Sequence, residues 1–69
     1  MRTFGKLREL IRNKFQTIDA FADAMDMSRS AVSRKLNGSS AWTQFEIERA
    51  CKLLGLSMSQ VGEYFFYEE

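Results

Sequence analysis

The sequence predicts an all-α fold of five short helices. Three observations carry this reading: apolar residues recur at three- and four-residue intervals, capping residues separate the periodic segments, and strand-like alternation appears nowhere at useful length. The chain has 69 residues with no proline, repeat or low-complexity stretch, so one compact domain spanning 1–69 is expected.

Each element has its own signal. Phe4, Leu7, Leu10, Ile11 and Phe15 share one helical face, with Arg8, Arg12 and Lys14 between them, as a surface helix requires. Thr17 is a good N-cap for a second helix, Asp19 complements the dipole in its first turn, and Phe21, Ala22 and Met25 follow before a stop near Asp26. Ser28 caps a third helix running from Arg29 to about Leu36, which ends at Asn37 and Gly38, residues that tolerate left-handed backbone. After the loop Ser39, Ser40 and Ala41, Thr43 and Glu46 have the spacing of a capping box. The fourth helix then puts Ile47, Ala50, Cys51 and Leu54 on one face and stops at Gly55. Ser57 and Gln60 repeat the box spacing for a fifth helix with Val61, Tyr64 and Phe65.

Composition excludes several classes. There is one cysteine and no histidine, so neither an internal disulfide nor a Cys/His zinc site is available, and no cofactor is implied. The usual nucleophile and base pairings are missing too, which argues against an enzyme. No apolar run approaches the roughly 20 residues of a membrane span, and a cytoplasmic protein is expected.

The informative stretch is Thr17 to Gly38, two helices of similar length joined by Asp26, Met27 and Ser28, which predicts helix-turn-helix geometry. Ala22 is small where the helices cross, Asp26 suits the turn, and Val32 with Leu36 anchor the second helix. The outward set is then Arg29, Ser30, Ser33 and Arg34, the candidates for base contacts in a DNA major groove. Thr17, Ser28, Asn37, Ser39 and Thr43, with Lys35 as a cation, are the candidates for phosphate contacts. Ser28 and Thr43 are equally caps, Trp42 reads as a lid on the core, and Cys51 as a small buried filler.

Charge is unevenly placed along the chain. The net charge is +1, yet residues 1–14 carry +4, 15–27 carry −3, 28–40 carry +3, 41–56 balance, and 57–69 carry −3. The proposed reading segment has no acidic residue, which phosphate attraction favours.

These residues resemble the Cro/CI-type (XRE) helix-turn-helix family of phage and bacterial repressors from about Leu7 to Leu56. The likeness rests on Phe21-Ala22, Met27-Ser28-Arg29-Ser30, Val32-Ser33, Asn37-Gly38, the helix from Gln44 to Leu54, and Gly55-Leu56-Ser57. More narrowly, the run from Ala31 to Gly38, Glu46-Ile47 and the ending Val61 to Phe66 look like small Cro-like phage proteins. The resemblance implies a five-helix lambda-repressor-like domain that regulates transcription by binding operator DNA, with base contacts at Arg29, Ser30, Ser33 and Arg34. Three positions depart from the family pattern: Asp26 stands where Gly is usual, Ile18 where Gln often contacts phosphate, and Lys35 where an apolar residue is common, the anchor moving to Leu36.

Two partners compete on this reading. One is double-stranded operator DNA, read by a homodimer because one short helix covers few base pairs and two subunits sit about 34 Å apart on DNA. Phe66 and Tyr67 are the candidates for that dimer interface, with Phe65 packing inward. The alternative is an antirepressor that binds a repressor instead of DNA, suggested by the acidic, aromatic end Tyr64-Phe65-Phe66-Tyr67-Glu68-Glu69 and the modest total charge.

Overall fold

Capping chemistry sets most of the element boundaries in the computed structural model, which describes residues 4–66. Helix α1 spans Gly5–Phe15, α2 Ile18–Ala24, α3 Arg29–Leu36 and α4 Gln44–Leu54; a 3-10 turn at Met58–Gln60 leads into α5, Val61–Phe65. Among the described residues there are no strands, so the all-α class read from the sequence holds.

Three hydroxyls close helix starts by accepting from backbone N–H groups: Thr17 from Ala20 at 3.1 Å, Ser28 from Ala31 at 3.1 Å and Thr43 from Glu46 at 3.2 Å. Glu46 Oε1 returns the contact by accepting from Thr43 N at 2.8 Å, which completes the capping box. At the C-terminal ends the chain turns through left-handed residues. Asp26 has φ 59°, and Met27 N donates to Ala22 O at 3.0 Å while Asp26 N donates to Asp23 O at 3.1 Å. The same paired closure follows α3, where Gly38 has φ 81°, Ser39 N reaches Arg34 O at 2.9 Å and Gly38 N reaches Lys35 O at 3.3 Å. Asp26 therefore performs, with a side chain, the turn that Gly38 makes without one.

Three boundaries differ from the expectation. Phe4 and Gln16 flank α1 with φ of 53° and 69°, left-handed values for which neither residue type gives a sequence signal. Phe4 holds that backbone while buried against Trp42, its ring edge-on at 6.3 Å. The fifth helix starts later than Ser57, because Gln60 N closes a tighter turn onto Ser57 O at 3.0 Å before α5 begins. Gln60 Oε1 still accepts from Ser57 N at 2.9 Å.

The core joins all five helices: Leu7 and Ile11 of α1, Phe21 and Ala22 of α2, Val32 and Leu36 of α3, Ala50, Cys51 and Leu54 of α4, and Phe65 of α5, with Phe4 and Met25 from the connections. Helix α1 lies against α2, α4 and α5, and α2 packs on α3, so the outer face of α3 is left toward solvent. Burial raises the Cys51 thiol above its ordinary pKa, which suits the filler role read from the sequence. No helix of the described residues is long and apolar enough to cross a membrane.

Candidate functional site

The α2–turn–α3 unit presents the face that the sequence singles out. Val32 and Leu36 point into the core, and this rotates Arg29, Ser30 and Arg34 into solvent with Ser33 half-buried beside them. All four base-contact candidates therefore lie on one helix, away from its anchors. Arg29 is not an isolated cation: its Nε lies 3.0 Å from Asp19 Oδ1 on the first turn of α2. Both side chains are well exposed, so the pair is weak in energy but locally cancels a charge. Asp23 and Asp26 are also exposed, placing three carboxylates on the segment that precedes α3.

The phosphate candidates divide. Thr17, Ser28 and Thr43 accept backbone N–H groups as caps, and each hydroxyl keeps its own proton to donate. Ser39 is exposed. Asn37 is exposed too, with Oδ1 accepting from Arg8 Nη2 at 2.7 Å while the same nitrogen donates to Leu36 O at 2.9 Å, tying α1 to the end of α3.

Lys35 does not face solvent. Only 8% of it is exposed, and its Nζ donates to Ala41 O at 2.7 Å and pairs with Glu46 Oε1 at 3.0 Å. The cation expected to face phosphate is turned inward, because the α3–α4 loop folds a carbonyl and a carboxylate over it. At Glu46 burial opposes ionisation, but the Thr43 N–H, then the hydrogen bond and charge of Lys35, outweigh it and hold the carboxyl below its ordinary value.

A second surface was not foreseen. Trp42 is the lid read from the sequence, edge-on to Phe4 at 6.3 Å and to Phe65 at 5.5 Å. Its Nε1 is buried with no hydrogen-bond partner among the described residues. Two adjoining hollows meet at this indole. One of about 420 Å³ is lined by Phe4, Gly38, Ser40, Ala41, Trp42, Ile47, Phe65 and Phe66. The other, about 370 Å³, is lined by Trp42, Gln44, Ile47, Glu48, Met58, Val61 and Phe66. Met58 is 72% and Phe66 51% exposed beside them, and Phe45, elsewhere on α4, is 83% exposed. Phe45 carries a sequence signal, since it falls off the face defined by Ala50, Cys51 and Leu54. The hollows carry none, because their walls come from Phe4 ahead of α1, the α3–α4 loop, α4 and the stretch from Met58 to Phe66. Of the two interface candidates, Phe66 is exposed as expected, and Tyr67 lies outside the described residues.

Fold and surface together define a small all-α protein with a cation-bearing helix behind a tight turn and a separate apolar groove. The chain belongs to a family of proteins of unknown function, DUF739, whose model matches residues 2–68. It is also similar to a solved structure, the modulator of repression (MOR) of the temperate bacteriophage TP901-1 from Lactococcus lactis. The two share 36% identity over 93% of this chain and 86% of that one, with a TM-score of 0.82. No protein of curated function matches the sequence. The family shown is thus DUF739, and the Cro/CI-type likeness stays a resemblance of residues.

Proposed function

We propose that this protein is a modulator of phage repression that acts by binding a repressor protein. The observation that carries the reading is the likeness to the modulator of repression, which extends over nearly the whole chain at 36% identity. The motif's charge supports it. Lys35 is withdrawn into the fold, Arg29 is offset by Asp19, and Asp23 and Asp26 line the approach, so the α2–α3 face repels phosphate more than its sequence block implied. Fluorescence anisotropy of a labelled operator tests this: the chain alone leaves the signal unchanged at physiological salt, and it alters the signal of the operator already held by the repressor. An unchanged repressor–operator signal at saturating chain overturns the reading.

A second reading, direct contact with operator DNA, is favoured by the outward set Arg29, Ser30, Ser33 and Arg34 on α3. In it Arg34 is the principal base reader, since it has no ion pair among the described residues, while Thr17, Ser28, Asn37, Ser39 and Thr43 hold phosphates. Loss of sequence-selective shift of native flanking DNA by Arg34→Ala is the result that supports it.

A further inference from the structure

The sequence motif does not account for the groove that the described residues form around Trp42. Its two lobes share Trp42, Ile47 and Phe66 as walls, and each has the size of one or two large apolar side chains. Exposed methionine and phenylalanine at 72% and 51% on such a small surface are costly in water and typical of a docking site. The buried Trp42 Nε1 adds a donor with no acceptor among the described residues, a group whose burial is unfavourable until something supplies one.

The lining selects the occupant. Among the described residues, Glu48 is the one charged side chain lining either lobe, and no cation lines them. Nucleic acid is disfavoured, since phosphate would meet the Glu48 carboxylate in a lining that holds no cation. A second copy of this chain is disfavoured as well, because two copies of the lining bring carboxylates and no cation to the contact. The complement is an amphipathic segment whose apolar side chains enter the two lobes, with a lysine or arginine beside them for Glu48 and an oxygen for the indole. A DNA-binding repressor is a protein whose surface supplies basic residues in this way.

We infer that the two-lobed groove around Trp42, with Met58, Phe66 and Glu48 at its edge, is the surface that receives the repressor, through a basic amphipathic segment. The inference rests on the repressor-binding reading above and adds the face that does the binding.

Trp42 is the sole tryptophan of the chain, so binding can be watched at the groove wall whenever the partner's tryptophans are replaced or subtracted. The experiment titrates the full-length protein with the full-length repressor of the same genome, by calorimetry and by Trp42 emission. The variants are Met58→Ser, Phe66→Ser and Glu48→Lys, with Phe45→Ser as a control because Phe45 lines neither lobe. Thermal unfolding confirms that each variant folds, which the exposure of these side chains favours. The expected result is a Trp42 emission shift on adding repressor, a loss of about tenfold or more in affinity for each groove variant, and a change within about twofold for Phe45→Ser. Tight binding by all three groove variants overturns the groove while leaving the repressor reading intact. No binding of repressor to the unaltered protein removes both. A Trp42 shift driven by duplex DNA, or by protein concentration alone, reassigns the groove to DNA or to self-association and overturns the inference.

Discussion

Lys35 Nζ lies 3.0 Å from Glu46 Oε1, joining the last turn of α3 to the first turn of α4 beneath the loop that connects them. The same carboxylate oxygen accepts from Thr43 N, and the same ammonium donates to Ala41 O. One ion pair thus fixes the loop bearing Trp42. It also removes from the α3 surface a cation that its sequence neighbours Arg34 and Asn37 made seem available.

Substituting Glu46→Gln tests this pair through stability and its pH dependence. The carboxyl is held below its ordinary value, so its contribution is present above the unfolded-state pKa, near 4.5, and is lost as pH falls through the lower folded value. At neutral pH the substitution lowers stability by about 1–2 kcal/mol, because Lys35 keeps its burial and loses its counter-charge. Thermal unfolding of both proteins at pH 7 and at pH 3 checks it, with the difference shrinking in acid.

Asp26 holds φ 59° in the turn between α2 and α3, a conformation that costs a residue with a Cβ roughly 1 kcal/mol. Asp26→Gly relieves that strain and raises the unfolding midpoint by a few degrees, about 4–8 °C per kcal/mol in a domain of this size. The greater freedom of unfolded glycine makes the lower end of that range the expected one. Calorimetry of the two proteins measures it.

Asp19 and Asp23 oppose phosphate at the start of the motif. Replacing both with Asn frees Arg29 and raises affinity for duplex DNA at low salt. The plot of log affinity against log salt then steepens by about one unit, the mark of one more phosphate neutralised. Filter binding across a salt series is the measurement, and an unaltered slope means that Arg29 does not face DNA.

Arg34→Ala separates the two partners. It costs about 1–3 kcal/mol in operator binding if that side chain reads guanine. If the groove receives the repressor, it leaves the affinity for the repressor unchanged, since Arg34 lies on α3 and lines neither lobe of the groove. Paired titrations with DNA and with repressor give both numbers from one variant.

Much of the fold was legible because it is locally encoded. Thr17, Ser28 and Thr43 each cap the helix that the spacing of their neighbours predicts, and Asp26 and Gly38 turn the chain where their types allow. Other features depend on residues far apart. Lys35 reads as a surface cation until the fold brings Ala41 O and Glu46 to it, and Phe4 and Gln16 take left-handed backbone that nothing in their side chains announces. The site was half legible for the same reason. One helix encodes the face of Arg29, Ser30, Ser33 and Arg34, so its periodicity could be read, whereas the groove is assembled from four segments and has no periodicity of its own. Trp42 was correctly read as a lid, but what it leaves open beside it depends on where Phe66 and Met58 fall.

On the proposed reading, the partner of this protein is a repressor. Isothermal titration of the full-length protein with the repressor of the same genome, in the absence of DNA and at physiological salt, decides it. The account predicts a saturable heat with a defined stoichiometry and a negative heat-capacity change, as burial of an apolar groove requires. No heat with the repressor at two temperatures, together with saturable binding to operator DNA under the same conditions, contradicts it.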